Sequence, residues 1–283
     1  MTLKRMAKSA VLTWVARSDS PKPDPLSSFA LRMMKIGLDR GSPEGYEKGA
    51  RAAACISVDF DVTRPGREVP NRLGTQALLR LSEKYEIPLT WAICGKTAEA
   101  DRESYESILE STVKQEVGIH TYSHIYADEV SEDVYRDDIN KCLAVLGLSS
   151  APDTFVFPKN REGYFALLKR MGFRCYRGQQ RAIGRPTGEN GLWNIRPVYY
   201  LDQKSLGAQY LIERFIDVCV ARHAVFHLWT HPWSISIEGT PDKLVKTTLE
   251  PVFSYLREKK QSGLLSPTTM GHLSSFLSLG AAS

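Results

Sequence analysis

From residue 52 onward, short apolar runs alternate with longer stretches whose apolar residues recur at helical spacing, and this alternation constrains the fold more than any other feature. The apolar runs fall at 55–62, 89–94, 115–119, 154–157, from 175, and at 223–230. Helical patterns fall at 73–85, 105–114, 130–146, 163–171, 206–222, 243–259 and 268–277. Pro88 ends the first of these, and Gly147 and Gly172 stand just beyond two others, where helix stops are favoured. Strand–helix alternation predicts a parallel sheet covered by helices. A chain of 283 residues can hold this in one barrel-sized domain, expected over residues 51–283 and preceded by a helical extension over 1–50.

Two runs at predicted strand ends carry side chains suited to catalysis. The first is Ser57-Val58-Asp59-Phe60-Asp61-Val62, where a period of two puts both carboxylates on one side and Phe60 on the other. The second is Glu116-Val117-Gly118-Ile119-His120-Thr121-Tyr122-Ser123-His124. A helical turn there would place His120 and His124 on one face. Two histidines and one aspartate form a three-ligand set for a divalent metal with a position left for water, and the second aspartate is then free to act as base. Each pair alone is weak, since surface helices produce H-x-x-x-H by chance and D-x-D often marks a turn; together, each after an apolar run, they form a candidate site. A third run, Phe226 to Trp233, places His227, Trp229 and His231 on one face of a strand. Trp229 and Trp233 offer apolar faces to a sugar ring, or pack in the core; His227 supports the site from behind, or is a core histidine.

These runs together resemble the polysaccharide deacetylases of the NodB-homology type (carbohydrate esterase family 4), in the subgroup with an Asp-x-Asp first motif. The resemblance covers roughly residues 51–275. It implies a distorted (β/α) barrel, expected to have seven strands, and a hydrolase that removes an N-acetyl group from an amino sugar in a glycan or glycan precursor. It implies Asp59 as base, His231 as acid, and Asp61, His120 and His124 as ligands of one divalent metal, with zinc preferred by the His₂Asp set. Leu89-Thr90-Trp91-Ala92-Ile93 is similar to the family's second strand, and Gly172 to Gly178 to the passage after the third motif. Two motifs depart. The third, normally Arg-x-Pro-Tyr-Gly, corresponds to Phe155-Val156-Phe157-Pro158-Lys159-Asn160, with Val156 in place of the arginine that steadies the base. Lys159 or Arg161 is the expected substitute charge, and Pro158 and Lys159 are expected to border the substrate. The fourth motif, whose carboxylate orients the acid, has only Leu192-Trp193-Asn194-Ile195 or Asp202 as candidates. The departures keep open an amide or formyl hydrolase acting on a small nitrogenous or lipid-linked substrate, and an inactive sugar-binding relative.

Composition sets the setting. The 42% hydrophobic and 24% charged residues are ordinary for a globular protein, and a net charge of +5 suits a solvated surface or an anionic partner. No basic run or motif points to nucleic acid. Five widely spaced cysteines without a C-x-x-C pair read as buried free thiols of a reducing compartment, so a cytoplasmic location is expected. No apolar run is long enough to span a membrane. Near the N-terminus, Leu3, Met6, Ala7, Ala10, Val11, Trp14 and Val15 recur at helical spacing beside Lys4, Arg5 and Lys8. The apolar stretch is too short and interrupted for a cleaved signal. A linker, Ser20-Pro21-Lys22-Pro23-Asp24-Pro25, leads to a second helical pattern over 26–38. Both helices are expected to pack on the barrel; the alternative is peripheral membrane contact through residues 1–38.

Overall fold

The computed structural model describes residues 31–42, 45–62 and 64–280. Its strands are β1 (Gly37–Leu38), β2 (Ala52–Phe60), β3 (Thr90–Ile93), β4 (Glu116–Ile119), β5 (Thr154–Val156), β6 (Cys175–Arg177), β7 (Ala182–Ile183), β8 (Thr187–Glu189), β9 (Leu192–Asn194), β10 (Tyr199–Leu201), β11 (Val225–Thr230) and β12 (Leu265–Pro267). Its main helices are α1 (Glu68–Tyr85), α2 (Gly95–Ala100), α3 (Arg102–Glu110), α4 (Glu132–Val145), α5 (Phe165–Met171), α6 (Gln209–Arg222), α7 (Glu250–Gln261) and α8 (Met270–Gly280). The main sheet runs β10-β11-β2-β3-β4-β5-β6-β9-β8, with β12 beside the start of β2. Every pairing from β10 to β9 is parallel, and only β8 runs antiparallel. The sheet curls without closing, so the barrel is distorted as expected. Its parallel part has nine strands, β12 included, where seven were expected, and short β9 and β10 lie in a stretch too brief and mixed to read as strands.

The central strand shows how the site is built. All nine residues of β2 are buried, as a parallel strand covered on both faces requires. Its even positions, Ala52, Ala54, Ile56, Val58 and Phe60, join the large cluster under the helices, and Phe60 meets Trp91 edge to face. Ala53 and Cys55 face the other way, into a cluster with Cys175, Val225 and the α8 residues Met270, Leu273 and Leu277. Helix α8 thereby seals the N-terminal ends of the strands. Glu116 anchors it: the buried carboxylate accepts from the Gly271 N–H at 3.0 Å and from the Thr90 and Thr154 hydroxyls. Above this seal the inward residues turn polar, at Ser57 and Asp59 on β2, Arg177 on β6 and His227 on β11. The functional end of the barrel is therefore the C-terminal end of the strands.

Helix α1 begins five residues earlier than the sequence pattern, at Glu68. Pro70 falls in its first turn, where no N–H is needed, so this proline does not block the helix. Farther along, α1 lies so close to the Pro232–Ile235 turn that a Cβ on Gly74 would stand 2.1 Å from the Pro232 carbonyl oxygen. That close approach sets where Trp233 sits. The five cysteines are free and buried, as expected.

The predicted helix at 3–15 and the proline linker lie outside the described residues. Of the helix expected over 26–38, residues 31–33 are helical, but Gly37 and Leu38 form β1 and pair with Ala182 and Ile183. Gly37 is a poor helix residue, and its N–H finds the Arg181 carbonyl at 2.9 Å instead. Leu31 and Ile36 are buried in the protein core, whereas Met33 and Leu38 are exposed. Among the described residues no helix is long and apolar enough to cross a membrane.

Candidate active site

Asp61, His120 and His124 converge at the top of the sheet. One ligand atom from each lies within 4.8 Å of the others. The Asp61 Oδ2 is 3.6 Å from His120 Nε2 and 3.1 Å from His124 Nε2. A tetrahedral ion with bonds of about 2.0–2.2 Å separates its ligand atoms by roughly 3.3–3.5 Å, so these spacings fit one small divalent cation. The orientation of His120 agrees. Its Nδ1 is 2.8 Å from the Val156 carbonyl, which can only accept, so Nδ1 carries the proton. Its Nε2 lone pair is left buried with no protein partner. The pairing of the two histidines does not come from a helix. They lie in a loop after β4, and left-handed backbone at Thr121 (φ 60°) and His124 (φ 58°) folds the second ring back toward the first, to a centroid distance of 5.0 Å. Burial alone would raise the Asp61 pKa, but the facing His120 and His124 rings hold it well below the usual carboxylate range.

Asp59, one strand period below, is held by Arg177. The guanidinium donates two parallel bonds to the carboxylate, each 2.6 Å, and both residues are fully buried. Burial pushes the Asp59 pKa up, and the Arg177 charge and hydrogen bonds override it, so the carboxyl titrates below its ordinary value. Arg177 is itself fixed from three sides. It donates to Ser57 Oγ at 3.1 Å and to Asn160 Oδ1 at 3.2 Å, and its Cζ lies 4.2 Å from the centre of the Trp229 ring. His227 supports this from below. Its Nδ1 donates to the Ile195 carbonyl at 3.0 Å, and its Nε2, 2.8 Å from Ser57 Oγ, accepts the hydroxyl proton. Burial and the nearby Arg177 charge lower the His227 pKa to about 3, so it is neutral.

His231 stands over both carboxylates, with Nε2 3.7 Å from Asp59 Oδ2 and 3.8 Å from Asp61 Oδ2. Burial lowers its pKa despite those two charges. Its Nδ1 is 3.2 Å from the Tyr200 hydroxyl, whose own pKa burial raises to about 12. The phenol thus remains protonated, and its oxygen is placed to accept from Nδ1–H, which leaves Nε2 facing the carboxylates.

Several sequence expectations change here. The positive charge at Asp59 is Arg177, on the strand after the third motif, and not Lys159 or Arg161. Lys159 is exposed, with its ammonium 4.6 Å from the Tyr126 ring centre, and Arg161 pairs with Asp128 and Glu129. The Pro158–Asn160 turn contributes Asn160 to Arg177 in place of an arginine, and Pro158 is buried at its start. The partner of His231 is Tyr200. Asp202 caps a turn by accepting from the Lys204 N–H, Trp193 donates to Ser278, and Asn194 donates to Glu189. Trp233 donates its N–H to Asp61 at 2.9 Å, and Trp229 lies between Arg177 and Tyr200, with its ring 4.2 Å from Tyr200. Arg177 had a legible signal, since it follows Cys175 by one strand period at a strand end; Tyr200 had none beyond its place on a strand too short to read.

Comparison with known proteins agrees with this geometry. Residues 48–163 match the polysaccharide deacetylase family model. A protein from Mycobacterium smegmatis assigned to the polysaccharide deacetylases has a similar structure, with TM-score 0.68, 17% identity, and coverage of 86% of this chain and 96% of that one. Puue allantoinase follows with TM-score 0.62, 14% identity, and coverage of 84% and 94%. A pseudoenzyme of carbohydrate esterase family 4 from Bacillus anthracis gives 0.52, 15%, and coverage of 86% and 71%. No curated protein sequence matches the chain. Over residues 48–163 the chain is therefore similar to the polysaccharide deacetylases, and over most of its length it shares their fold.

Proposed function

We propose that this protein is a metal-dependent hydrolase that removes an N-acetyl group from an amino sugar of a glycan or glycan precursor. The observation that carries the reading is that a salt-bridged carboxylate, Asp59, and an imidazole, His231, stand 3.7 Å apart beside three converging ligand atoms. Asp61, His120 and His124 would hold the ion, with zinc preferred by the donor set. A divalent cation there supplies a Lewis acid for the acyl oxygen. Asp59, kept ionised by Arg177, takes a proton from the attacking water. His231, its Nδ1–H held by the Tyr200 oxygen, takes up that proton at Nε2 and delivers it to the departing amine. Trp229 and Trp233 wall the site on either side of His231, with their ring faces taken up by Arg177 and Tyr200 and by Arg67 and His231 rather than left for a sugar ring. The five buried free thiols support a cytoplasmic setting. The reading is tested by acetate release from N-acetylated sugars, nucleotide sugars and lipid-linked glycans; no release from any of them by metal-loaded protein overturns it.

The second reading is an amide hydrolase acting on a small nitrogenous substrate. Relocation of the base's arginine from the third motif to Arg177 favours it, as does the fold shared with an allantoinase. Metal content distinguishes the two, since full activity in metal-free protein belongs to the second.

Two variants probe the assignments. His124→Ala should abolish stoichiometric metal binding while leaving the melting profile of the metal-free protein nearly unchanged, because His124 sits in a loop. Metal analysis checks this, and retention of one tightly bound ion would reassign the ligands. Tyr200→Phe removes one hydrogen bond to the acid, worth about 1 kcal/mol, so kcat should fall roughly fivefold with KM little changed. An unchanged kcat would remove Tyr200 from the acid's support.

A further inference from the structure

The geometry points to Trp233 as the positioning residue of the ligand set. This inference rests on the metal reading above and concerns how Asp61 is aimed. A carboxylate turns easily about its last bond, and a ligand carboxylate must present one chosen oxygen. Here the indole Nε1–H holds Asp61 Oδ1 at 2.9 Å, and the other oxygen, Oδ2, faces His120 and His124. Asp61 is buried, so Oδ1 would otherwise sit out of water without a donor. The hydrogen bond satisfies it and locks the rotation.

Trp233 is in turn held firmly enough to do this. The Arg67 guanidinium lies 3.4 Å from its ring centre, and the His231 ring lies 4.5 Å away at a tilt of 35°. The Pro232–Ile235 turn that carries it is pressed against α1 at Gly74. The indole therefore joins the acid strand β11, the start of α1 and the ligand strand β2. A cation on the face of an indole also draws electron density from the ring, which makes the N–H a stronger donor. Arg67 accordingly acts through Trp233, and more weakly.

The test is a zinc titration of the stripped full-length chain against a chromophoric chelator, with a cobalt(II) absorption spectrum as a second readout. Trp233→Phe should weaken zinc binding about 10–100-fold, the usual range for groups that orient metal ligands. It should also alter the cobalt spectrum while the metal-free melting temperature stays close to that of the parent. Replacing Trp233 by benzothienylalanine, which keeps the bicyclic ring and removes only the N–H, should give the same result and covers the case in which the phenylalanine variant fails to fold. Arg67→Met should weaken zinc binding severalfold in the same direction. Zinc affinity within twofold of the parent in the benzothienyl variant, with an unchanged cobalt spectrum, overturns the role of Trp233. A parent chain that binds neither zinc nor cobalt overturns the metal reading itself.

Discussion

Asp59→Asn is expected to bind metal normally and to lose about 10²–10⁴-fold in kcat, the range that a positioned general base contributes. The amide keeps the shape of the carboxylate and can still accept one hydrogen bond from Arg177, so the fold should survive. It cannot take a proton from water. The loss should appear in kcat rather than KM, because Asp59 is engaged by Arg177 and is not free to bind the sugar. Steady-state kinetics on any substrate that releases acetate, with metal content measured in parallel, checks this. A variant with near-normal kcat would transfer the base role to another group.

Arg177→Met is expected to do more harm than any other single change in the site. It leaves Asp59 buried and unpaired, and breaking one side of a buried pair costs about 3–5 kcal/mol. The loss also removes the donor to Ser57 and Asn160 and the cation against Trp229. Two readouts should move together. Thermal stability should fall, and any surviving activity should show its acidic limb at higher pH. The direction follows from the parent, where burial raises the Asp59 pKa and Arg177 more than reverses it. Without the arginine only the lesser influence of His120 and His231 opposes burial. In the parent, a carboxyl titrating below its unfolded value adds stability above about pH 4, and that stability is lost as pH falls through the depressed value. Arg177→Met should lack this contribution, and with its Asp59 pKa raised by burial it should instead lose stability as pH rises above about 4. A parent-like melting temperature in Arg177→Met would contradict the pairing.

The fold was legible because burial on both faces and strand–helix alternation leave a chemical trace in any chain. The apolar run at 55–62 reads as a strand, observed over Ala52–Phe60, and a period of two placed Asp59 and Asp61 on one side and Phe60 on the other, as they lie. The histidines were legible as a pair, but the reason given for their meeting was not the operative one. A helical turn would have joined them, and the chain instead uses two left-handed residues, which no periodicity announces.

What the sequence determined by itself was the placement of polar groups at strand ends: two aspartates two apart, two histidines four apart, and a third histidine closing the last long strand. These are short-range relations in the chain; the strand repeat sets the aspartate pair, and two left-handed residues set the histidine pair. Only the tertiary structure decided which charge neutralises Asp59, which hydroxyl orients His231 and which donor holds Asp61. Arg177 is 118 residues from Asp59, Tyr200 is 31 from His231, and Trp233 is 172 from Asp61. Each pairing arises where curled strands bring distant residues to one layer of the barrel. There a buried charge or polar atom must find whatever partner the neighbouring strand provides, and sequence order does not say which strand that is.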